Sequence, residues 1–232
     1  MINFKNLIKS YNKNTVLDID LLEIPKGQAF GLVGNNGAGK TTLFSCLLDL
    51  IKPTKGLVTN NEINVRESED WKSFSSAYLD ESFLIGYLMP EEYFYFIGEL
   101  RNVKQKEVYE FLKQFEDLFN GEILGGKKYI RDLSKGNQKK VGIVAALIGS
   151  PSVIILDEPF ANLDPTTQIR LKKIIKKLSS DDGVTVLISS HDLQDVTEVS
   201  ERIVLLEKGK IIKDIKTSKK TLKELESYFT KE

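Results

Sequence analysis

The sequence predicts an α/β fold with a mostly parallel central sheet, and three mostly apolar runs are the main evidence. The runs occupy 29–33, 153–156 and 184–188, and helical stretches follow the first two at 40–51 and 165–178. Continuous apolar runs are typical of strands buried on both faces of a parallel sheet. Their alternation with helices indicates the α/β class.

The other predicted elements are strands near the N-terminus and helices in the middle of the chain. Further strands are predicted at 2–8, 16–24 and 202–206, with shorter pieces up to about residue 65 and at 211–212. Further helices are predicted at 137–148 and 219–229 and within a helical stretch from about 82 to 132. Turn residues at 53–56 and 207–210 separate neighbouring elements, and the charged stretch 66–72 is predicted to be a solvated turn or a short helix.

A glycine-rich loop after the first apolar run matches the phosphate-binding pattern G-x-x-x-x-G-K-[ST]. It consists of Gly34, Asn35, Asn36, Gly37, Ala38, Gly39, Lys40, Thr41 and Thr42. Its glycines let the backbone approach phosphates, and the helix that follows offers N–H donors and a positive dipole end. Lys40 is placed to reach the β- and γ-phosphates, and Thr41 offers a hydroxyl to Mg²⁺. We expect a nucleoside-triphosphate site.

Two adjacent carboxylates, Asp157 and Glu158, follow the apolar run 153–156. Open α/β sheets bind ligands at the carboxyl ends of their strands. Because neighbouring strand residues point to opposite sides, the two acids are expected to have different roles. Asp157 is predicted to hold Mg²⁺, usually through water, and Glu158 to orient and deprotonate the attacking water. The alternative is that the acids only cap the next helix.

Composition limits the class of protein. The 232 residues include 33 basic and 33 acidic side chains, so there is no electrostatic case for nucleic acid and none is expected as a partner. The single cysteine, Cys46, excludes an intramolecular disulfide and is predicted to be a small buried hydrophobe. The longest apolar stretch, 141–149, is far shorter than the ~20 residues that span a bilayer. Residues 1–11 lack the apolar core of a signal peptide.

Four further features, taken with these motifs, resemble the nucleotide-binding subunits of ABC transporters over nearly the whole chain. Leu133, Ser134, Lys135, Gly136 and Asn137 are similar to the family signature, usually written LSGGQ. Residues 161–164 resemble the D-loop. His191, the single histidine, resembles the switch histidine, and Tyr11 resembles the aromatic residue that stacks on adenine.

The resemblance implies a P-loop NTPase fold in a single domain, 1–232. Its nucleotide-binding core would comprise 1–81 and 150–232 with an N-terminal antiparallel β subdomain, and a helical subdomain carrying the signature would be inserted at 82–149. It also implies an ATPase that uses ATP and Mg²⁺ and energises a separately encoded multi-span membrane permease. Such a subunit would lie at the cytoplasmic face of the membrane, with no transmembrane segment of its own.

The signature predicts a second subunit. Ser134 and Gly136 open a predicted helix and would present a second set of N-terminal donors to an anion, although each chain already has its own phosphate loop. In the family, two subunits pack head to tail and bury ATP between one loop and the opposing signature, with two-fold symmetry. We expect a homodimer, although a heterodimer with a similar subunit is equally consistent. The alternative is that Ser134 merely caps a core helix, and both roles can hold.

The chain departs from the family pattern in two places. Lys135 and Asn137 replace the common Gly and Gln of the signature, and Asn retains the amide. The family's Q-loop Gln, which touches Mg²⁺, has no counterpart in 77–82; Asp80 stands at its position, with Glu81 as the alternative. A carboxylate oxygen ligates Mg²⁺ at least as well as an amide oxygen, so Asp80 is predicted as a metal ligand. The alternative is that neither acid reaches the metal.

The remaining predictions concern the γ-phosphate, the adenine and the membrane partner. By the resemblance, His191 contacts the γ-phosphate and joins Lys40 and Glu158 in catalysis, and Tyr11 stacks on adenine rather than only packing. Phe83 and Tyr87 are predicted to anchor a permease helix, the alternative being the core of the helical lobe.

Three other functions remain open: a soluble ABC-type ATPase for DNA maintenance or translation, a small P-loop kinase, and a nucleotide-gated regulatory module. The chain has neither the long coiled coils nor the tandem cassettes that are usual in soluble ABC-type ATPases. A small P-loop kinase would not need the signature. The motifs do not encode the transported substrate or the direction of transport.

Overall fold

The computed structural model describes residues 1–229, and ten strands and eight α-helices form its framework. The strands are β1 (Ile2–Tyr11), β2 (Asn14–Ile24), β3 (Ala29–Val33), β4 (Lys55–Asn60), β5 (Ile63–Asn64), β6 (Ser75–Tyr78), β7 (Val153–Asp157), β8 (Thr185–Ser190), β9 (Arg202–Glu207) and β10 (Lys210–Lys216). The helices are α1 (Lys40–Leu47), α2 (Pro90–Leu100), α3 (Gln105–Lys113), α4 (Glu116–Phe119), α5 (Lys135–Leu147), α6 (Pro165–Ser180), α7 (Leu193–Val199) and α8 (Thr221–Phe229).

The central sheet has six strands in the order β10-β9-β3-β8-β7-β6. All neighbours pair in parallel except β10, which is antiparallel to β9 at one edge. Every residue of β3, β7 and β8 is buried, which is why these strands are mostly apolar. Because β3, β8 and β7 are adjacent and parallel, the segments that follow them meet at one edge of the sheet.

A second sheet lies at the N-terminal side of the fold. Its order is β2-β1-β4-β5, and all its pairings are antiparallel. Its inward side chains share one apolar core with α1 and with side chains of β3 and β9, including Phe4, Leu32 and Val204. The predicted α/β class, with a mostly parallel central sheet and an antiparallel N-terminal sheet, is confirmed.

Helices α2 to α5 form a lobe between β6 and β7. Phe94 and Phe119 are fully buried in it, with ring centroids 5.8 Å apart, and α5 presents buried side chains along most of its length. Gly142 of α5 lies directly against the Tyr78 ring of β6, where an added Cβ would overlap that ring. The lobe is thereby packed closely on the edge of the central sheet. The domain limits 1–81, 82–149 and 150–232 remain a prediction, and residues 230–232 lie outside the described part.

Several elements differ from the sequence prediction. Strand β6 was not predicted because its sequence, Ser-Ser-Ala-Tyr, is only weakly apolar, and its pairing with β7 makes it a strand. Helix α7 was missed because its seven residues are too few to show a helical period; the Asp192 carboxylate caps it by accepting two backbone N–H bonds. The charged stretch 66–72 was predicted to be a solvated turn or a short helix, and a short 3-10 helix, Asp70–Ser73, does lie at its end. Trp71 of this helix is buried rather than solvated, and its indole N–H donates to the Val65 carbonyl at 3.1 Å.

Other expectations agree with the structure or differ by a few residues. Helix α5 begins at Lys135 rather than 137, and α1 ends at Leu47 rather than 51. Cys46 is buried, as predicted, and burial raises the pKa of its thiol to about 11. Of the helices that the structure describes in residues 1–229, none has the length and hydropathy needed to cross a membrane.

Candidate functional site

The phosphate-binding loop connects β3 to α1, and two of its glycines are required by the packing around them. Gly39 caps α1 with φ at +109°, and a Cβ there would approach the Val16 carbonyl oxygen to 2.9 Å. A Cβ on Gly34 would overlap the Leu206 carbonyl oxygen. The loop therefore fits against β2 and β9 only with these residues, and it brings the N-terminus of α1 to the edge of the sheet.

Lys40 lies inside this loop. Its side chain is only 6% exposed, and its ammonium donates to the Gly34 carbonyl at 2.7 Å, so the loop curls around the charge. The same ammonium lies 3.3 Å from Oε1 of Glu158. The cation is thus held where the carboxyl end of β7 meets the loop.

Asp157 ends β7 and lies against two hydroxyl groups. The Thr41 hydroxyl donates to Oδ2 of Asp157 at 2.5 Å, and the Ser189 hydroxyl donates to Oδ1. Asp157 is 4% exposed, and this burial raises the pKa of its carboxyl, although both hydrogen bonds act in the opposite direction. Carboxylate and hydroxyl oxygens are hard donors of the kind that Mg²⁺ prefers, so Thr41 and Asp157 fit this ion.

Ser189 is a site residue that the sequence analysis missed. It lies near the end of β8, directly after the predicted strand 184–188, and the parallel register of the sheet pairs it with Asp157. The sequence signal that could have identified Ser189 is a hydroxyl group immediately after an apolar strand, at the edge of the sheet where ligands bind. The parallel order of β7 and β8, which brings it to Asp157, was not visible in the sequence.

Glu158 lies at the centre of the site. Its Oε2 is 2.8 Å from Nδ1 of His191, and its Oε1 faces Lys40. The backbone of Glu158 is left-handed, with φ at +46°, a conformation that few residues other than glycine adopt. The structure therefore brings together Lys40, Glu158 and His191, from segments that follow three neighbouring parallel strands. His191 is 56% exposed and Glu158 26% exposed, so the cluster opens to solvent.

The segment after β6 holds its two acids in different ways. Asp80 is exposed and accepts the backbone N–H of Ser82 at 2.6 Å, whereas Glu81 accepts the Tyr78 hydroxyl at 2.9 Å. Burial raises the pKa of that phenol. Within residues 1–229 the structure gives Asp80 no hydrogen bond to Thr41 or Asp157. Metal binding by Asp80 therefore remains a prediction.

The signature residues lie at the start of α5. Ser134 accepts the backbone N–H of Asn137 at 3.2 Å, so it does cap the helix, and it is exposed. Gly136 lies against the D-loop, where an added Cβ would be 3.0 Å from the Asn162 carbonyl oxygen. In the described part of the chain, no hydrogen bond joins Ser134 to residues 34–42. Ser134, at the start of α5, is therefore exposed to solvent and, within residues 1–229, is not bonded to the phosphate loop of its own chain.

Tyr11 ends β1 on the antiparallel sheet. It is 49% exposed, and the Lys9 ammonium lies 4.6 Å from its ring centroid. An exposed ring of this kind is available for stacking on a base. Its role at adenine remains a prediction.

Comparison with known proteins agrees with this geometry. A family model described as ABC transporter matches residues 17–161. An uncharacterized ABC transporter ATP-binding protein of Methanocaldococcus jannaschii is 34% identical over 214 residues, covering 91% of this chain and 76% of that protein. The bacitracin transport ATP-binding protein BcrA of Enterococcus faecalis is 31% identical over 219 residues, with coverages of 94% and 70%.

A solved structure shows the same fold. A dimeric ATP-binding cassette in a post-hydrolysis state, bound to ADP and Pi, shares 27% identity and a TM-score of 0.80, covering 94% of this chain and 99% of its own. The family match, the relatives and this fold agree with the motifs at the sheet edge. This chain therefore belongs to the ABC transporter family, as one of its ATP-binding and ATP-hydrolysing subunits.

Proposed function

We propose that this ATPase subunit hydrolyses MgATP with Glu158 as the general base, and that two copies of it energise a separate membrane permease. The observation that carries the proposal is the convergence of Lys40 and His191 on the Glu158 carboxylate, at 3.3 and 2.8 Å. A base beside two groups that can bind phosphate oxygens is what phosphoryl transfer to water requires.

The role of each residue in the reaction follows from its position in the site. The backbone of residues 34–42 and the N-terminus of α1 hold the phosphates, and the Lys40 ammonium binds the β- and γ-phosphate oxygens. Glu158 accepts the proton of the attacking water, and His191 donates a hydrogen bond to the γ-phosphate. Tyr11 stacks on the adenine.

Thr41 and Asp157 hold the Mg²⁺ ion, with Asp80 as a further ligand from the segment after β6. When bound, the ion supplies positive charge to the β- and γ-phosphate oxygens. Support for this donor set comes from the Thr41–Asp157 contact at 2.5 Å, which already places two oxygen donors together.

The functional unit is a two-fold symmetric homodimer. Ser134 and Gly136, at the solvent-accessible start of α5, bind the γ-phosphate held by the other subunit's loop, so each ATP joins two chains. Closing on ATP and opening after hydrolysis would then move the attached permease.

The permease docks beside the segment after β6, at the cytoplasmic face of the membrane. Phe83 and Tyr87 are 57% and 72% exposed, so they are not the core of the helical lobe. Phe83 lines a mostly apolar cavity together with Leu84, with Leu50, which follows α1, and with Leu100, which ends α2. Exposed aromatic side chains beside an apolar groove favour a helix of the permease as the ligand.

Glu158→Gln tests the proposal. The variant should bind MgATP and accumulate as a closed dimer with its turnover reduced by about 100-fold or more. Wild-type turnover in this variant would refute the assigned base.

The trapped variant also tests the partner. Affinity purification from detergent-solubilised membranes of its own cell should recover a multi-span membrane protein. Recovery of ribosomes or DNA-bound proteins instead would favour a soluble ABC-type ATPase.

A further inference from the structure

Lys139 is a buried lysine that none of the motifs accounts for. It lies on α5, about one turn after Lys135 of the signature, and is only 5% exposed. Among residues 1–229 it forms no ion pair, and its ammonium donates one hydrogen bond, to the Glu158 carbonyl at 2.7 Å. Lysine is almost never fully buried unless it is paired. A role at Glu158 explains why a charged side chain, whose burial is unfavourable, occupies this position.

The contact acts on an unusual stretch of backbone. Glu158 has φ at +46°, and both of its backbone polar groups are bound. Its N–H donates to the Ser189 hydroxyl at 3.0 Å, and its carbonyl accepts Lys139 and, at 3.4 Å, the Ala161 N–H. Lys139 thus supplies the shorter of the two hydrogen bonds to this carbonyl. The direction of the Glu158 side chain depends on how these groups hold the peptide.

Close to Lys139, helix α5 also packs against Tyr78 of β6. The Lys139 ammonium lies 5.9 Å from the Tyr78 ring centroid, and Gly142, one turn later, packs directly on that ring. The Tyr78 hydroxyl donates to Glu81 at 2.9 Å. Burial lowers the pKa of the Lys139 ammonium, while Glu81 and Glu158 raise it, so the carboxylates of both segments act on it. Lys139 is therefore the side chain that connects α5 to the backbone of Glu158, and it does so beside the Tyr78 ring of β6.

We propose that Lys139 is a positioning residue that, through its hydrogen bond to the Glu158 carbonyl, sets the catalytic carboxylate in place relative to α5. The inference rests on the proposed role of Glu158 as the base. Ser134 caps the same helix. Helix α5 would therefore have two roles: its start binds the nucleotide held by the other subunit, and Lys139 orients the base of its own chain.

Lys139→Met is the direct test, with Lys140→Met as the matched control. Lys140 is equally buried on the same helix, but it pairs with Glu122 at 3.6 Å instead of reaching Glu158. Lys139→Met should lower kcat by about 10-fold or more with the Kd for MgATP changed by less than about 3-fold, because only the geometry of the base is disturbed. Lys139→Arg, which keeps the charged donor, should recover most of kcat.

A double variant distinguishes positioning from general loss of structure. In the Glu158→Gln background, Lys139→Met should lower the residual rate no further, because the group it positions has already been removed. Equal falls of kcat in Lys139→Met and Lys140→Met, or a full additional loss in the double variant, would overturn the inference. If Lys139→Met does not fold, Lys139→Ala, which leaves room for water at the carbonyl, replaces it with the same expected result.

The two proposals fail separately. Wild-type turnover of Glu158→Gln would refute the base, and the inference with it. Loss of turnover in Glu158→Gln together with normal kcat in Lys139→Met would refute only the positioning role.

Discussion

Replacing Ser189 with alanine tests how the carboxyl end of β7 is held together. The Ser189 side chain is fully buried, donates to Oδ1 of Asp157 and accepts the backbone N–H of Glu158 at 3.0 Å. The substitution removes a hydrogen bond to a carboxylate, which contributes about 1.5–3 kcal/mol. It also leaves the part-buried N–H of Glu158 without its partner, at a cost of about 1–3 kcal/mol. The expected loss in the free energy of unfolding, from these two effects together, is about 2.5–6 kcal/mol.

Ser190→Ala is the matched control. Ser190 is the next residue, is 3% exposed and accepts the Asp192 N–H at 2.9 Å without contacting a carboxylate of the site, so its loss should cost about 1 kcal/mol. Urea and thermal unfolding of the two variants measure the difference, and a loss of about 3 kcal/mol corresponds to roughly 6–12 °C in Tm for a chain of this size. Equal destabilisation of the two variants would refute the reasoning, because Ser189 would then contribute nothing beyond an ordinary buried hydroxyl.

Four further changes have expected outcomes. Lys40→Ala should weaken MgATP binding or abolish hydrolysis, measured by calorimetry and phosphate release; unchanged values for both would contradict its place in the loop. Asp80→Ala should reduce transport-coupled ATPase activity more than MgATP affinity, and an equal fall in both would contradict the Q-loop alignment. Phe83→Ala should weaken permease binding while sparing ATP affinity, with exposed Tyr109→Ala on α3 as the control; permease binding as strong in Phe83→Ala as in Tyr109→Ala would contradict the docking site. In the folded protein at about pH 8, Cys46 should react with iodoacetamide far more slowly than in urea, because burial raises its pKa to about 11; equal rates would show that it is accessible.

Much of the candidate site was predictable because its signals are local in the sequence. The loop at 34–42 is one continuous segment, and its glycines and Lys40 can be recognised without knowing what packs against them. Asp157 and Glu158 were predictable for a similar reason, since a buried strand is recognised by its apolar run and the acids follow that run directly. The ABC transporter family and its fold follow from these segments in order, and the comparisons confirm both.

The phosphate loop, the acids at the end of β7 and the class of fold can thus be recognised from the amino-acid sequence, because each depends on residues that are neighbours in the chain. Tertiary structure alone decided which groups meet. Ser189 reaches Asp157 across parallel strands, and Lys139 reaches the Glu158 carbonyl from a helix that precedes β7. Residues 75–78 form strand β6 because they pair in parallel with β7. Contacts between distant segments depend on strand order and helix packing, and no local period or motif encodes either.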